Sequence, residues 1–165
     1  MFTNEQFTTL AKQHMDTVFR VALSYMKSPA DADDITQTVL LKLYRYEGTF
    51  ESDAHIRNWL IRVTVNACRS ALRSPWRRME DIEDYANSIE FPSPEHSGLF
   101  EAVMALPMKY RAVIYLFYYE GYATRELASI LSVPEATVRT RLMRGREKLR
   151  KILTEADIKD GQTAF

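Results

Sequence analysis

Apolar positions recur every three or four residues over most of the chain, and polar punctuation cuts that pattern into helices. Phe7, Leu10, Ala11, His14, Val18, Val21, Ala22 and Tyr25 line one side of a first long helix. Thr3 or Asn4 can cap it, and it runs to about Lys27. Ser28-Pro29-Ala30-Asp31 restarts the chain: Ser28 caps, Pro29 suits a first turn, and Asp31 takes the capping-box position. The second helix has an inner stripe of Ile35, Val39, Leu43 and Tyr46. A second stripe of Asp33, Gln37, Leu40 and Tyr44, flanked by Asp34 and Leu41, lies about 100° or more around the axis. Apolar groups on two sides mean burial or a docked partner, and spacing alone leaves the two balanced.

Glu47 to Asp53 reads as a loop, with Ser52 or Asp53 capping a third helix from about Ala54 to Arg73. Its core stripe is Ile56, Leu60, Val63, Ala67 and Ala71. One residue out of phase run His55, Trp59, Arg62, Asn66, Arg69 and Arg73. An aromatic, amide and arginine stripe suits nucleic acid, including splayed single strands. A buried Trp59 with solvated arginines fits the spacing equally well. From Pro75 to Ser97 three prolines break the periodicity and acids dominate, which predicts a flexible acidic linker. Trp76, Tyr85 and Phe91 are its aromatic groups.

Ser97 can cap a further helix with Leu99, Phe100, Val103 and Leu106 inside. Pro107 opens the next, closed by Gly121, whose Tyr110, Tyr115, Phe117, Tyr118 and Tyr119 are expected to pack in a core. The stretch from Thr124 to Lys151 then splits around Ser132-Val133-Pro134 into two helical patterns. Leu127, Ala128, Ile130 and Leu131 form one apolar face; Val138, Leu142, Gly145 and Leu149 form the other. Thr124 is placed to cap the first helix, and Pro134 and Glu135 suit the first turn of the second. Two short helices about a tight turn, the second strongly basic, are a helix-turn-helix pattern. The expected fold is all-α: a helical domain over 1–74, a linker over 75–97, a helix-turn-helix domain over 98–155 and a tail over 156–165.

Charge changes this picture more than composition does. The net charge is zero, but its distribution is uneven. Residues Asp31 to Asp53 carry −4, Ala54 to Arg78 carry +6, and Thr124 to Lys151 carry +5. Two cationic blocks separated by acidic ones point to defined anionic surfaces rather than a general coat. Long side chains near the start of the basic helix can read guanine edges, and others can hold phosphates. The bland alternative, a solvated cationic face, ranks below DNA binding once the turn and both apolar faces are counted.

Other chemistries find little support. Cys68 is the single cysteine and is expected to be a buried structural thiol. His14, His55 and His96 lack metal-ligand spacing, so no metal or cofactor is expected. Phosphate-binding loops, dinucleotide loops and nucleophile elbows are absent from the sequence, and no catalytic residue is assigned. No apolar run approaches membrane-spanning length and the N-terminus is unlike a signal peptide, so a soluble cytoplasmic protein without membrane insertion is expected.

Four segments, in order, resemble the extracytoplasmic-function group of bacterial RNA polymerase sigma factors. DADDITQTVLLKLYRY resembles the polymerase-docking helix, and WLIRVTVNACRSALR the helix that melts and reads the −10 element. LPMKYRAVIYLFYYEGYATRELASIL and VPEATVRTRLMRGREKLRK resemble the C-terminal domain and its −35 reading helix. Leu40 stands where the group often has Phe, and Thr64 where a small residue is common.

The resemblance implies that Asp33, Asp34, Gln37, Leu40, Leu41 and Tyr44 bind the clamp of core RNA polymerase. It implies a melted −10 strand at Gly48, Thr49, Phe50, Trp59, Arg62, Asn66, Arg69 and Arg73. Gly48 to Glu51 and Asn66 are its candidates for holding an extruded base. Duplex −35 DNA falls to Thr124, Arg125, Glu135, Thr137, Arg139, Thr140, Arg141, Arg144 and Lys148. The linker would thread the polymerase between the two ends. An anti-sigma factor, which in this group can be membrane-anchored, is a further implied partner. Two other classes are an autonomous helix-turn-helix repressor or activator and a helical adaptor without DNA contact.

Overall fold

The computed structural model describes residues 2–74 and 97–159. All of its regular structure is helical among the described residues, and the chain divides into two compact units, Met1–Ile89 and Glu90–Phe165. The expected linker and its aromatic residues lie almost wholly outside the described residues, as does His96.

The first unit packs α1 (Asn4–Met26), α2 (Pro29–Tyr44) and α3 (Asp53–Leu72) against one another. Local chemistry sets their starts. The Thr3 hydroxyl accepts the Gln6 N–H at 3.1 Å, while the Gln6 side-chain Oε1 accepts the Thr3 N–H at 3.0 Å. Ser28 accepts from the Asp31 N–H at 3.3 Å and Ser52 from the His55 N–H at 3.1 Å. Each such cap stabilises its helix by about 1 kcal/mol. Between α1 and α2 the chain reverses at Lys27, which takes φ 60° and donates its N–H to the Leu23 carbonyl at 2.9 Å. Val18, Val21 and Met26 of α1 meet Ala32, Val39 and Leu43 of α2 and Leu60, Ile61 and Val65 of α3 in the core. Cys68 is buried there and forms no disulfide.

Two stripes differ from expectation. Tyr46 is not on the inner face of α2, because the helix has already ended at Tyr44. On α3, Val63 and Ala71 are only half-buried. The buried face is broader and takes in Ile61, Thr64, Val65 and Cys68. Thr64 tolerates full burial because its hydroxyl donates to the Leu60 carbonyl at 2.6 Å.

The second unit holds α4 (Ser97–Met104), α5 (Met108–Tyr118), α6 (Thr124–Leu131) and α7 (Glu135–Lys159). Ser97 is the first residue of α4 rather than its cap. Arg111 of α5, only 5% exposed, organises the α4–α5 turn. Its guanidinium donates to the carbonyls of Leu106 at 3.0 Å and Met104 at 3.4 Å, which pairs a buried charge with backbone acceptors. A Cβ on Gly145 of α7 would lie 3.0 Å from Ile114 Cγ1 and 3.4 Å from Tyr110 Cβ, so glycine lets α5 and α7 meet closely. The seam of Val138, Leu142 and Gly145 is buried as the sequence pattern predicts, and Leu149 is half-buried.

The aromatic run of α5 is not all core. Tyr110 and Tyr115 are buried, but Tyr118 is 54% exposed and Tyr119 37%. Leu99 is also exposed rather than inside. With Val103, Leu149 and Leu153 these residues line an apolar cleft of about 550 Å³. The α7 helix continues through Lys159, beyond the apolar pattern that made it legible.

Candidate nucleic-acid interface

The helix-turn-helix forms where α6 stops and α7 starts. Ser132 takes φ 57° and caps α6, and the Val133 N–H reaches back to the Ala128 carbonyl at 3.1 Å. Pro134 then accepts from the N–H groups of Thr137 and Val138, which opens α7. Thr124 does not cap α6 as expected. The Ala123 N–H is instead taken by the Glu126 carboxylate at 3.0 Å, and Thr124 is the first helical residue. Its hydroxyl donates to Glu135 Oε1 at 2.8 Å, which ties the start of α6 to the start of α7.

Glu135 also receives Arg139 at 2.9 Å. The Thr124 hydrogen bond, with Arg139 and Arg125 nearby, outweighs desolvation and holds the carboxyl below its usual range. Glu135 therefore stays ionised and braces Arg139, one turn along the exposed face. Arg125, Arg139, Thr140, Arg144 and Lys148 are exposed, while Thr137 and Arg141 are half-buried at the flank. The Thr140 hydroxyl is engaged by the Ala136 carbonyl at 3.0 Å. Sequence reasoning passed over Met143, which is 52% exposed beside Arg144.

In the first unit the loop after α2 gathers rings. Phe50 stacks on Tyr46 at 4.5 Å between centroids and meets His55 edge-on at 5.2 Å and Trp59 at 5.6 Å. Tyr46 and Trp59 lie 4.9 Å apart, and Phe2 lies parallel to Phe50 at 6.1 Å. The Tyr46 ring folds over Gly48, where an added Cβ would come 2.6 Å from Cζ. A side chain at Gly48 would have to push the Tyr46 ring aside. Trp59 is half-buried within this cluster, and Arg62, Asn66 and Arg73 are exposed along α3 with Arg69 half-buried. Phe2 and Tyr46 were not among the sequence candidates: one lies outside the helical pattern and the other was read as core.

On α2, Asp33, Asp34, Gln37, Leu41 and Tyr44 are all exposed and share one side with half-buried Leu40. Leu41 is 51% exposed, and Tyr44 leans edge-on against Phe7 at 5.2 Å. This second stripe of α2 is thus left uncovered by its own unit. Among the described residues, no group of His, Cys, Asp and Glu is disposed to hold a metal, and no helix is long and apolar enough to cross a membrane.

A three-helix unit with an arginine face and aromatic loop, together with a basic helix-turn-helix unit, defines a helical protein built for nucleic acid. Comparison with known proteins identifies both units. Residues 10–78 match Sigma-70 region 2, and residues 98–149 match Sigma-70, region 4. The ECF RNA polymerase sigma factor SigM of Mycobacterium tuberculosis is 31% identical over 158 residues, spanning 89% of this chain and 76% of that protein. The ECF RNA polymerase sigma-E factor of Escherichia coli K12 is 28% identical over 161 residues, spanning 87% and 84%. In fold, the chain is similar to the sigma factor RpoE, solved with the anti-sigma factor NepR from Bartonella quintana. The TM-score is 0.74 at 21% identity, covering 90% of this chain and 96% of that one. The chain belongs to the ECF group of RNA polymerase sigma factors. An autonomous helix-turn-helix regulator is not favoured, because the first unit is itself a sigma region.

Proposed function

We propose that this sigma factor seats on core RNA polymerase through the uncovered stripe of α2 and reads a promoter with both units. The observation that carries the reading is that stripe: Asp33, Asp34, Gln37 and Leu41 exposed beside Leu40 and Tyr44 on a helix whose other face is core. Exposed apolar groups rimmed by acids and an amide suit a complementary protein surface. Arg139, Thr140 and Arg144 of α7 then face the major groove of the −35 element, with Arg125, Arg141 and Lys148 on its phosphates. Thr124 and Glu135 position Arg139, and Thr137 sits at the flank.

At the −10 element, Arg62, Asn66, Arg69 and Arg73 follow the strand. The loop from Gly48 to Glu51, with Phe50 and Trp59, takes an unstacked base. Unpairing costs a few kcal/mol and is offset by stacking and backbone contacts. The chain performs no covalent step of its own. It acts in the cytoplasm, where the polymerase is, and an anti-sigma factor holds it inactive by covering both units. The segment over 75–97 connects these units through the polymerase.

Run-off transcription with purified core polymerase tests the proposal. The chain should direct a discrete transcript from a promoter fragment recovered from cells overexpressing it. Leu41→Arg should abolish that transcript and core binding alike, with the melting of the purified chain unchanged. A discrete transcript of undiminished yield from Leu41→Arg would refute the docking assignment.

A further inference from the structure

Phe50 is the hub of the ring cluster in the first unit, and its contacts are not alike. Tyr46 stacks on it closely, with centroids 4.5 Å apart and 17° between planes. His55 and Trp59 meet it at steep angles, 81° and 66°. Phe2 lies almost parallel to it, 7° between planes, but with centroids 6.1 Å apart. The Phe2 contact is thus the looser of the two parallel ones. Phe2 and Phe50 are half-buried, and Gly48, Thr49, Glu51 and His55 beside Phe50 are exposed, so the cluster can be reached from solvent.

The start of α1 sets the position of Phe2. Thr3 is the N-cap, with extended backbone at φ −68° and ψ 162°, and its reciprocal bonds with Gln6 fix the residue next to Phe2. A ring just before an N-cap commonly packs on the fourth residue of its own helix. That residue is Phe7, whose ring is turned edge-on to Tyr44 of α2 at 5.2 Å. Phe2 instead reaches the loop that joins α2 to α3. Its backbone is therefore anchored, while its ring can swing on its side-chain torsions.

Near-parallel rings that part by the swing of one side chain suit a flat guest. A base stacked on a ring is held more strongly than a second ring is. Exchanging the Phe2–Phe50 contact for a base with a ring on each side is therefore favourable. Arg62 and Asn66, exposed about one and two turns beyond Trp59 on α3, can carry the rest of a strand to this point.

We propose that Phe2 is a base-stacking residue: an unstacked base of the melted −10 strand slots between Phe2 and Phe50. The inference rests on the −10 reading of the loop and α3, and adds to it a second jaw from the start of α1.

The test uses holoenzyme, this chain with core polymerase. Its probe is the single non-template strand across the −10 region of the promoter fragment recovered from cells overexpressing the chain. The fluorescent analogue aminopurine replaces one base at a time, because stacking quenches it. With wild type, one position should be quenched on binding, and Phe50→Ala should relieve that quenching. Phe2→Ala should relieve it at the same position and weaken binding roughly tenfold, within the range for one stacked base. Phe2→Tyr should keep both. Phe2→Leu, apolar but without a flat face, should behave as Phe2→Ala. Melting should show all the variants folded, and binding of duplex −35 DNA should not change. Unchanged affinity and quenching in Phe2→Ala, with Phe50→Ala impaired, would overturn the jaw and leave the −10 reading standing. Tighter binding by Phe2→Ala would also overturn it, because the ring would then be a cover that the base displaces. Wild-type behaviour of Phe2→Leu would overturn it by reducing the ring to apolar filling. If no position were quenched in wild type, the loop's part in the −10 reading and the jaw would fall together.

Discussion

The two nucleic-acid faces use cations in different company. On the first unit, arginines run along a single helix, α3, and end beside a cluster of rings built by Phe2, Tyr46, Phe50, His55 and Trp59. On the second, Thr124 of α6 and Arg139 of α7 meet on Glu135, and cations from α5 and α7 converge on Tyr110. The residues lining that convergence include no exposed ring. Rings clustered at a loop suit bases already out of the stack, whereas cations braced on a helix pair suit the fixed phosphate spacing of a duplex. Under the proposed function, two DNA states fall to two local chemistries.

The strongest way to break the comparison is to disable one face through its scaffold. Gly145→Val places a side chain where Cβ already meets Ile114 at 3.0 Å. Forcing α5 and α7 apart should cost the second unit about 1–3 kcal/mol and disperse the recognition face. Calorimetry should show the loss in the second unit, and duplex −35 binding should fall with it. Binding of a single-stranded −10 oligonucleotide by holoenzyme should persist. Equal loss on both probes would mean that the faces are not independent.

A finer cut exchanges the two chemistries directly. Phe50→Ala removes the ring at the centre of the cluster, and a stacked base is worth about 1–3 kcal/mol, or roughly 5- to 150-fold in affinity. That loss should appear on the single-stranded −10 oligonucleotide and spare duplex −35 DNA. Arg139→Ala should do the reverse, at a similar magnitude if it reads a base edge, and should relax sequence preference at one position. A common loss on both probes from either variant would erase the distinction drawn between the faces.

Much of this was legible because the determinants are local. Ser28 and Ser52 cap the helices that follow them within three residues, and the seam of Val138, Leu142 and Gly145 is a periodic pattern within one helix. What spacing missed depends on groups far apart in sequence. Thr124 read as a cap because a hydroxyl before a helix usually is one, yet Glu135, eleven residues on, captures it. Tyr46 read as core because periodicity continues on paper past the end of α2, whereas the chain turns there and the ring folds over Gly48. Phe2 was invisible because it lies outside the helical pattern and only the fold brings it to Phe50. The resemblance to sigma factors pointed to both faces, while the ring cluster does not follow from matching segments.

The Thr124–Glu135 bond offers a smaller test of how far the second face is braced. Thr124→Val keeps the shape and removes the donor, leaving Glu135 to Arg139 alone. Because Glu135 is open to solvent, water screens this hydrogen bond and its loss should be felt only modestly. The expected result is a drop of a few degrees in melting and a modest loss of −35 affinity. Fluorescence melting of wild type and Thr124→Val reads it. If affinity fell by more than tenfold without a change in melting, Thr124 would be touching DNA itself.

The smallest expected effect separates the units by pH rather than by mutation alone. His14 is buried in the first unit, and its Nε2 has no hydrogen-bond partner among the described residues. Burial is the main force on it and Arg57 adds to that, while Asp53 opposes; together they set its pKa below the ordinary 6.5. The unfolded chain therefore binds this proton at a higher pH than the folded unit does. Between about 6.5 and the lowered folded value, the unfolded state holds more protons, so stability falls as pH falls, by no more than about 1.4 kcal/mol per pH unit. Below the folded value the slope from this group ends. No corresponding lowered histidine exists among the described residues of the second unit. Acidification from pH 7 to pH 5.5 should thus lower the midpoint of the first unit more than that of the second. His14→Leu should flatten the first unit's response and leave the second unchanged. If the first unit keeps its acid sensitivity in His14→Leu, the assignment of that sensitivity to His14 falls.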